Sequence, residues 1–135
     1  EAQAVLEPAF QNDPDDTAVY GPLGLSLLRQ EKADMALAVF ARGVALAPRN
    51  ADFQRYLGVA ARSLGWTEAT EAAFRRSFNL DDTNGETAYN LALHYMTLDP
   101  PKPNDAKQWY ERALELGQAP DEQLEEAIQA FMQGD

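Results

Sequence analysis

The chain has 135 residues, 45% of them hydrophobic, which is enough for one domain with a core and argues against wholesale disorder. Its net charge of −11 argues against nucleic acid or an anionic membrane as the main partner. The absence of cysteine excludes disulfides and thiolate metal sites. No apolar run approaches the ~20 residues that span a bilayer, so we expect no membrane insertion.

The charge is distributed unevenly along the chain. Residues 1–28 have a net charge of −5, residues 29–76 a net charge of +3, and residues 77–135 a net charge of −9. A basic central region therefore lies between two acidic ends. Ordinary solvated surface explains such a distribution as well as a binding role does.

A pattern of small and apolar residues recurs along the chain at intervals of 34 residues. A fixed period of this length is typical of a helical repeat protein. The recurring residues are Leu23-Gly24, Leu57-Gly58 and Leu91-Ala92, with Phe40 and Phe74, and Leu46 and Leu80, at the same interval.

This pattern resembles the tetratricopeptide repeat (TPR), in which a helix with a Leu-Gly pair is followed by a second helix with Ala and Phe positions. The resemblance covers nearly the whole chain. It implies an all-α fold, a right-handed superhelical solenoid of antiparallel helix pairs. The expected single domain of residues 1–135 consists of a half repeat at 1–16 with its second helix only, repeats at 17–50, 51–84 and 85–118, and a capping helix at 119–135.

Within this frame we expect helices near 18–30, 33–46, 52–64, 67–80, 86–98, 104–116 and 121–133. The third repeat has two extra residues in its proline-containing inter-helix loop, which we expect to stay out of helix. In the last helix, Leu124, Ile128 and Phe131 share one face, and we expect them to pack. The opposite face, with Glu125, Glu126 and Gln129, would meet water, as the end of a repeat array requires.

Gly58 lies inside a predicted helix, where a glycine lowers the stability of the helix by about 1 kcal/mol relative to alanine. We expect that this cost is compensated by close approach of the paired helix at that point. Gly65, which follows the same helix, can take the left-handed conformation that ends many helices.

Signatures of catalysis are absent from the sequence, which has no phosphate-binding loop, dinucleotide fingerprint or metal-binding histidine spacing. The only histidine, His94, lacks an evident orienting partner, and a packed histidine is the simpler interpretation. We therefore expect a protein that is not an enzyme and that uses no cofactor or metal.

The resemblance implies that the first helices of the repeats line a concave groove in which peptides bind. The candidate binding residues are then Leu25, Leu28, Arg29, Arg55, Tyr56, Val59, Arg62, Tyr89, Asn90, Leu93 and Met96. The apolar members would receive apolar side chains, and the three arginines would receive acidic groups or a C-terminal carboxylate. The alternative is that the apolar members are buried between neighbouring first helices.

The carboxylate clamp of TPR co-chaperones for heat-shock proteins is not matched. Its Lys and Asn positions are occupied here by Gly21, Leu25, Tyr56 and Glu86.

The sequence thus predicts a scaffold for protein–protein interaction that binds a partner peptide or helix, including one with acidic groups. One alternative is a small acidic TPR chaperone of a secretion system. Another is a regulatory or self-associating segment of a larger protein, with a homo-oligomer formed through the N-terminal face. The sequence does not determine the compartment.

Overall fold

The structure, a computed structural model, describes residues 17–134. The half repeat predicted for residues 1–16, with Ala2, Leu6, Ala9 and Phe10 in its core positions, lies outside the described residues. A short 3-10 turn, Thr17–Val19, opens the described part. The helices that follow are α1 (Tyr20–Arg29), α2 (Ala33–Leu46), α3 (Ala51–Ser63), α4 (Thr67–Leu80), α5 (Gly85–Thr97), α6 (Pro103–Glu115) and α7 (Glu122–Gln133).

These seven helices begin and end within two residues of the positions that the periodicity predicts. The part of the chain from residue 17 to residue 134 contains no β-strand. The all-α fold class is therefore confirmed, and each helix pair is joined by a short turn. Gly65 and Gly117 have φ angles of 76° and 97°, so both provide the left-handed conformation that ends a helix.

The chain divides after Leu80 into two compact units. The described part of the first unit contains α1 to α4, and the second unit contains α5 to α7.

In the first unit, the glycines of the first helices lie beneath aromatic rings of the second helices. A Cβ atom added to Gly24 would lie 2.3 Å from the Phe40 ring, and one added to Gly58 would lie 2.6 Å from the Phe74 ring. Both rings are fully buried. The close approach predicted at Gly58 is thus confirmed, and the group that approaches is a phenyl ring of the paired helix.

Polar contacts fix the ends of the second pair, α3 and α4. The Asn50 side chain caps α3 by accepting a hydrogen bond from the backbone N–H of Phe53 at 3.1 Å. The Ser77 hydroxyl donates to the Ala51 carbonyl at 2.8 Å and so connects the end of α4 to the start of α3.

In the second unit, α5 and α6 pack as the third pair, with an alanine and a tyrosine where the first two pairs have glycine and phenylalanine. Ala92 and Tyr110 are both buried. The ring position is therefore kept, but it now carries a hydroxyl group that needs hydrogen-bond partners in the interior.

The last helix, α7, supplies those partners. The Tyr110 hydroxyl accepts a hydrogen bond from the backbone N–H of Asp121 at 2.8 Å and donates to the Glu125 carboxylate. The Asp121 side chain caps α7 by accepting from the backbone N–H of Leu124 at 3.1 Å. The Tyr89 hydroxyl of α5 donates to the other oxygen of Asp121 at 2.5 Å. Two tyrosines on α5 and α6 thus hold the first turn of α7.

Candidate functional site

The three candidates on α1 differ in their exposure. Leu25 and Leu28 are half-buried and pack against the core of the first unit. Arg29, in the last turn of α1, is exposed. The two leucines are therefore partly buried against this core, while Arg29 is exposed to solvent.

Tyr56, on α3, lies where the first three helices meet. Its ring centroid is 5.2 Å from that of Phe40 on α2, with the two planes tilted by 35°. A Cβ atom added to Gly21 on α1 would lie 4.0 Å from the Tyr56 ring. Gly21 and Tyr56 are thus neighbours at ordinary contact distance, and the tyrosine remains half-buried.

Arg55 is largely enclosed, with its side chain 12% exposed. Its guanidinium lies 3.2 Å from the Asp52 carboxylate, one turn earlier in α3, and 4.8 Å from the centre of the Tyr56 ring. Its charge is thus already opposed within the helix, and its role is to hold Tyr56 in place.

Arg62 lies near the opposite end of α3, with its guanidinium carbon 5.7 Å from the centre of the Phe74 ring. Arg62 and Val59 are both half-buried. Val59 and Tyr56 lie three residues apart on α3, so they share one face of the helix.

Four candidates lie on α5 in the second unit. Asn90 is buried, and Leu93 and Met96 are half-buried. Tyr89 is half-buried and donates its hydroxyl hydrogen to Asp121. Tyr89 therefore takes part in fixing α7, a role that the sequence analysis did not assign to it.

The sequence analysis also missed the surface formed by α6 and α7. A cleft of about 320 Å³ lies between these helices, lined by Lys107, Tyr110, Glu111, Leu114, Glu125, Ile128 and Gln129. Leu124 and Ile128 are buried as expected, whereas Phe131 remains 48% exposed and Met132 37% exposed.

The hydrogen bonds at the start of α7 shift two pKa values. The pKa of the Asp121 carboxyl is lowered, first because it accepts from the Tyr89 hydroxyl and then because it accepts from the Leu124 N–H. The pKa of Tyr110 is raised, first by burial of the hydroxyl and then by its hydrogen bond to Glu125. The arrangement thus favours the ionised form of Asp121 and the neutral form of Tyr110.

Within residues 17–134, no group of three or more His, Cys, Asp or Glu side chains is placed to hold a metal ion. In the same stretch, none of the helices combines the length and the apolar character that crossing a bilayer requires. His94 is buried on α5, as expected for a packed histidine.

No protein-family model and no curated protein matches the chain. Solved structures do match it. MamA 41-end from Desulfovibrio magneticus RS-1 is similar with a TM-score of 0.76 and 22% identity, over 84% of this chain and 63% of the MamA chain. MamA MSR-1 C2 is similar with a TM-score of 0.70 and 25% identity, over 84% of this chain and 64% of that one. This chain thus spans less than two thirds of the length of the MamA chains.

The first TPR of Spaghetti (RPAP3), solved bound to the HSP90 peptide SRMEEVD, is similar over 89% of this chain and 96% of its own, with a TM-score of 0.79 and 22% identity. These likenesses agree with the helix pairs and the 34-residue period. The predicted TPR fold is therefore confirmed.

Proposed function

We propose that this tetratricopeptide repeat protein is a non-catalytic interaction scaffold that binds a peptide or helix of a partner protein on the face formed by α1 and α3. The observation that supports this most directly is Tyr56. It is a half-buried aromatic side chain held between α1, α2 and α3 by Phe40 and Arg55. A preorganised aromatic residue of this kind is a common centre of a protein-binding surface.

Apolar and basic groups surround Tyr56. Leu25, Leu28 and Val59 are half-buried and offer apolar area. Arg29 is exposed at the end of α1 and Arg62 is half-buried on α3. Residues 17–80 have eight basic and five acidic residues, a net charge of +3. A partner segment that alternates apolar and acidic side chains fits this chemistry best.

The candidates on α5 belong to the second unit and are proposed as contacts in their own right. Leu93 and Met96 are half-buried on that helix and would contact apolar side chains of a partner. Methionine adapts to side chains of different shape, so this part of the surface would discriminate less. Tyr89 would act mainly by holding the start of α7 in place, and Asn90 is buried.

The peptide bound by the RPAP3 TPR supports a peptide as the class of ligand, because the two chains share their fold. The ligand here would differ from that peptide. Gly21, Leu25, Tyr56 and Glu86 replace the Lys and Asn residues of the carboxylate clamp, so these four positions carry no ammonium group and no side-chain amide to bind a carboxylate.

The proposal is tested by affinity capture from native lysate with three baits, read by mass spectrometry. The baits are the wild type, Arg29→Glu/Arg62→Glu, and Lys32→Glu/Arg49→Glu as a control. The control makes the same charge change at two exposed positions outside the α1–α3 face. Arg55 is left intact because it is paired with Asp52.

We expect a protein that the wild type and the control retain and that the first variant loses. A peptide from that protein should bind the first variant about tenfold or more weakly in a fluorescence titration, since reversing two charges removes attraction and adds repulsion. Equal capture by all three baits would place the binding site elsewhere on the molecule.

A further inference from the structure

The asparagines that precede α3 and α5 form a matched pair of helix caps. Asn50 precedes α3, and Asn84 precedes α5, 34 residues later. Their backbones are nearly the same, with φ and ψ of −83° and 106° for Asn50 and of −90° and 104° for Asn84. Each side chain accepts a hydrogen bond from a backbone N–H in the first turn of its helix, that of Phe53 at 3.1 Å and that of Glu86 at 2.9 Å.

The two caps differ in the residue that follows the asparagine. Ala51 follows Asn50, whereas Gly85 follows Asn84 in the one Asn-Gly sequence of the chain. Packing explains the glycine, because a Cβ atom at position 85 would lie 3.2 Å from the carbonyl oxygen of Ala113 in the last turn of α6. The third pair therefore combines an asparagine cap with a glycine directly after it.

An Asn-Gly sequence has a reaction of its own, in which the backbone nitrogen of the glycine attacks Cγ of the asparagine. The nitrogen bonds to Cγ and gives up its proton, the bond between Cγ and Nδ2 breaks, and ammonia leaves with that proton. Water then opens the resulting succinimide ring at either carbonyl. The residue becomes aspartate, or isoaspartate, whose backbone runs through Cβ and Cγ. Glycine hinders this ring closure least because it has no Cβ atom beside the attacking nitrogen.

The folded chain restrains the Asn-Gly sequence through two contacts. The Asn84 side-chain oxygen is bonded to the Glu86 N–H, and Gly85 lies against the last turn of α6. Gly85 is also the first residue of α5, so no carbonyl of the helix can accept its N–H. The attacking nitrogen thus has no helical hydrogen bond to lose. Because helix ends fray and open locally at little cost, opening of the first turn is enough to free the cap for ring closure.

We infer that Asn84 is a site of spontaneous deamidation, which proceeds when the first turn of α5 opens and which alters the cap of that helix. Aspartate at position 84 accepts from the same N–H and places a negative charge at the positive end of α5, so the helix stays capped. Isoaspartate lengthens the backbone by a methylene group and displaces the carboxylate, so the first turn of α5 loosens. This site is independent of the α1–α3 face.

Peptide mapping of the full chain by mass spectrometry, after incubation at mildly alkaline pH, tests the site. Synthetic peptides with aspartate or isoaspartate at position 84 are the standards. We expect Asn84 to convert at least about tenfold faster than Asn50, since only the glycine leaves ring closure unhindered. Ala51→Gly should raise the rate at Asn50 towards that at Asn84. Its control, Ala69→Gly, makes the same change at an exposed position in the first turn of α4 and should leave Asn50 unmodified.

Two further measurements test the role of the cap. Urea that unfolds the full chain should speed the conversion of Asn84, because the restraining contacts are lost. The modified forms carry an added negative charge and separate by anion exchange. The Glu86 amide should exchange with solvent faster in the isoaspartate form than in the unmodified chain. The aspartate form and Asn84→Asp should both keep its protection.

The inference is overturned if Asn84 and Asn50 convert at the same rate or if Ala51→Gly leaves Asn50 unmodified. Formation of aspartate without isoaspartate would also overturn it, since direct hydrolysis of the amide produces aspartate alone. Equal rates at Asn84 in the folded and the unfolded chain would show that opening of α5 does not control the reaction. An isoaspartate form with unchanged protection of the Glu86 amide would contradict the proposed effect on the cap.

Discussion

The second pair, α3–α4, and the third pair, α5–α6, use one spacing with different interior chemistry. In α3–α4 a glycine lies beneath a phenyl ring, so the contact at this position is apolar. In α5–α6 the same positions hold Ala92 and Tyr110, and the tyrosine hydroxyl bonds to the start of α7. Both pairs thus combine a small residue with an aromatic ring. In the third pair the ring also carries a hydroxyl group, which binds the polar first turn of α7.

The two units also differ in surface charge, with +3 for residues 17–80 and −8 for residues 81–134. Because the charge distribution of a protein affects which partners it attracts and not which fold it adopts, we expect the two units to suit partners of different charge. Substitutions at Phe74, Tyr110 and Gly58 test whether the interiors of the two pairs differ in the way that their contacts indicate.

The largest effect is expected for Phe74→Ala. The Phe74 ring is fully buried over Gly58. Because Gly58 has no side chain, it cannot fill the space that the ring would leave. We expect a loss of about 3–5 kcal/mol in the free energy of unfolding. Amide hydrogen exchange of α3 and α4 measures this locally. A loss below about 1 kcal/mol would mean that the pair can collapse around the cavity.

Tyr110→Phe tests the polar half of the comparison. The substitution keeps the ring but leaves the Asp121 N–H without its acceptor, so we expect a cost of about 1–3 kcal/mol. The loss should appear as faster amide exchange in α7, with α3 and α4 unchanged as the internal control. Unchanged exchange in α7 would show that water replaces the hydroxyl at no cost.

Gly58→Ala is expected to have a smaller effect, because two terms oppose each other. Alanine favours the helix by about 1 kcal/mol, but its Cβ would lie 2.6 Å from the Phe74 ring, and overpacking typically costs about 1–3 kcal/mol. We expect a net loss of up to about 2 kcal/mol in urea unfolding. Leucine at position 74 is smaller than phenylalanine and would relieve the close contact with a Cβ atom at position 58. Gly58→Ala should therefore cost less in a Phe74→Leu background than it does in the wild type. Full additivity of the two changes would contradict the contact.

Much of the fold was readable from the sequence because it depends on local spacing. Gly58 and Phe74 recur with the period, so the helices and the close contact between them follow from the sequence. The pairing of Arg55 with Asp52 was also within reach, since residues three apart on a helix are neighbours.

The hydrogen bonds of Tyr89 and Tyr110 could not be predicted in the same way. Tyr89 and Asp121 are 32 residues apart, and Tyr110 and Glu125 are 15 apart. No period connects these residues, because the two-residue insertion shifts the third repeat and α7 has no second helix in residues 17–134 to compare. The candidate binding residues came from position alone, so the sequence could not show that Tyr89 holds α7.

The smallest expected effect is a dependence of helix stability on pH. It should differ between α7 and α3 because the two helices have different N-cap residues. α3 is capped by Asn50, which does not titrate, and α7 by Asp121, whose pKa is lowered below its ordinary value of 3.8. A lowered carboxyl pKa stabilises the folded form above the ordinary value, and that contribution is lost as the pH falls through the lowered pKa. The raised pKa of Tyr110 acts in the opposite sense, so its contribution is present below its ordinary value of 10.0 and is lost as the pH rises above it.

We therefore expect α7 to loosen before α3 as the pH falls below about 4 or rises above about 10. The NMR signals of the Leu124 and Phe53 amides, each bonded to its cap, report the two helices separately. Asp121→Asn should remove the acid response of Leu124, because asparagine accepts the same hydrogen bond without titrating. Tyr89→Phe should move that response to higher pH, because the hydrogen bond that most lowers the Asp121 pKa is lost. Parallel responses of Leu124 and Phe53 in the wild type would show that the caps do not distinguish the two helices.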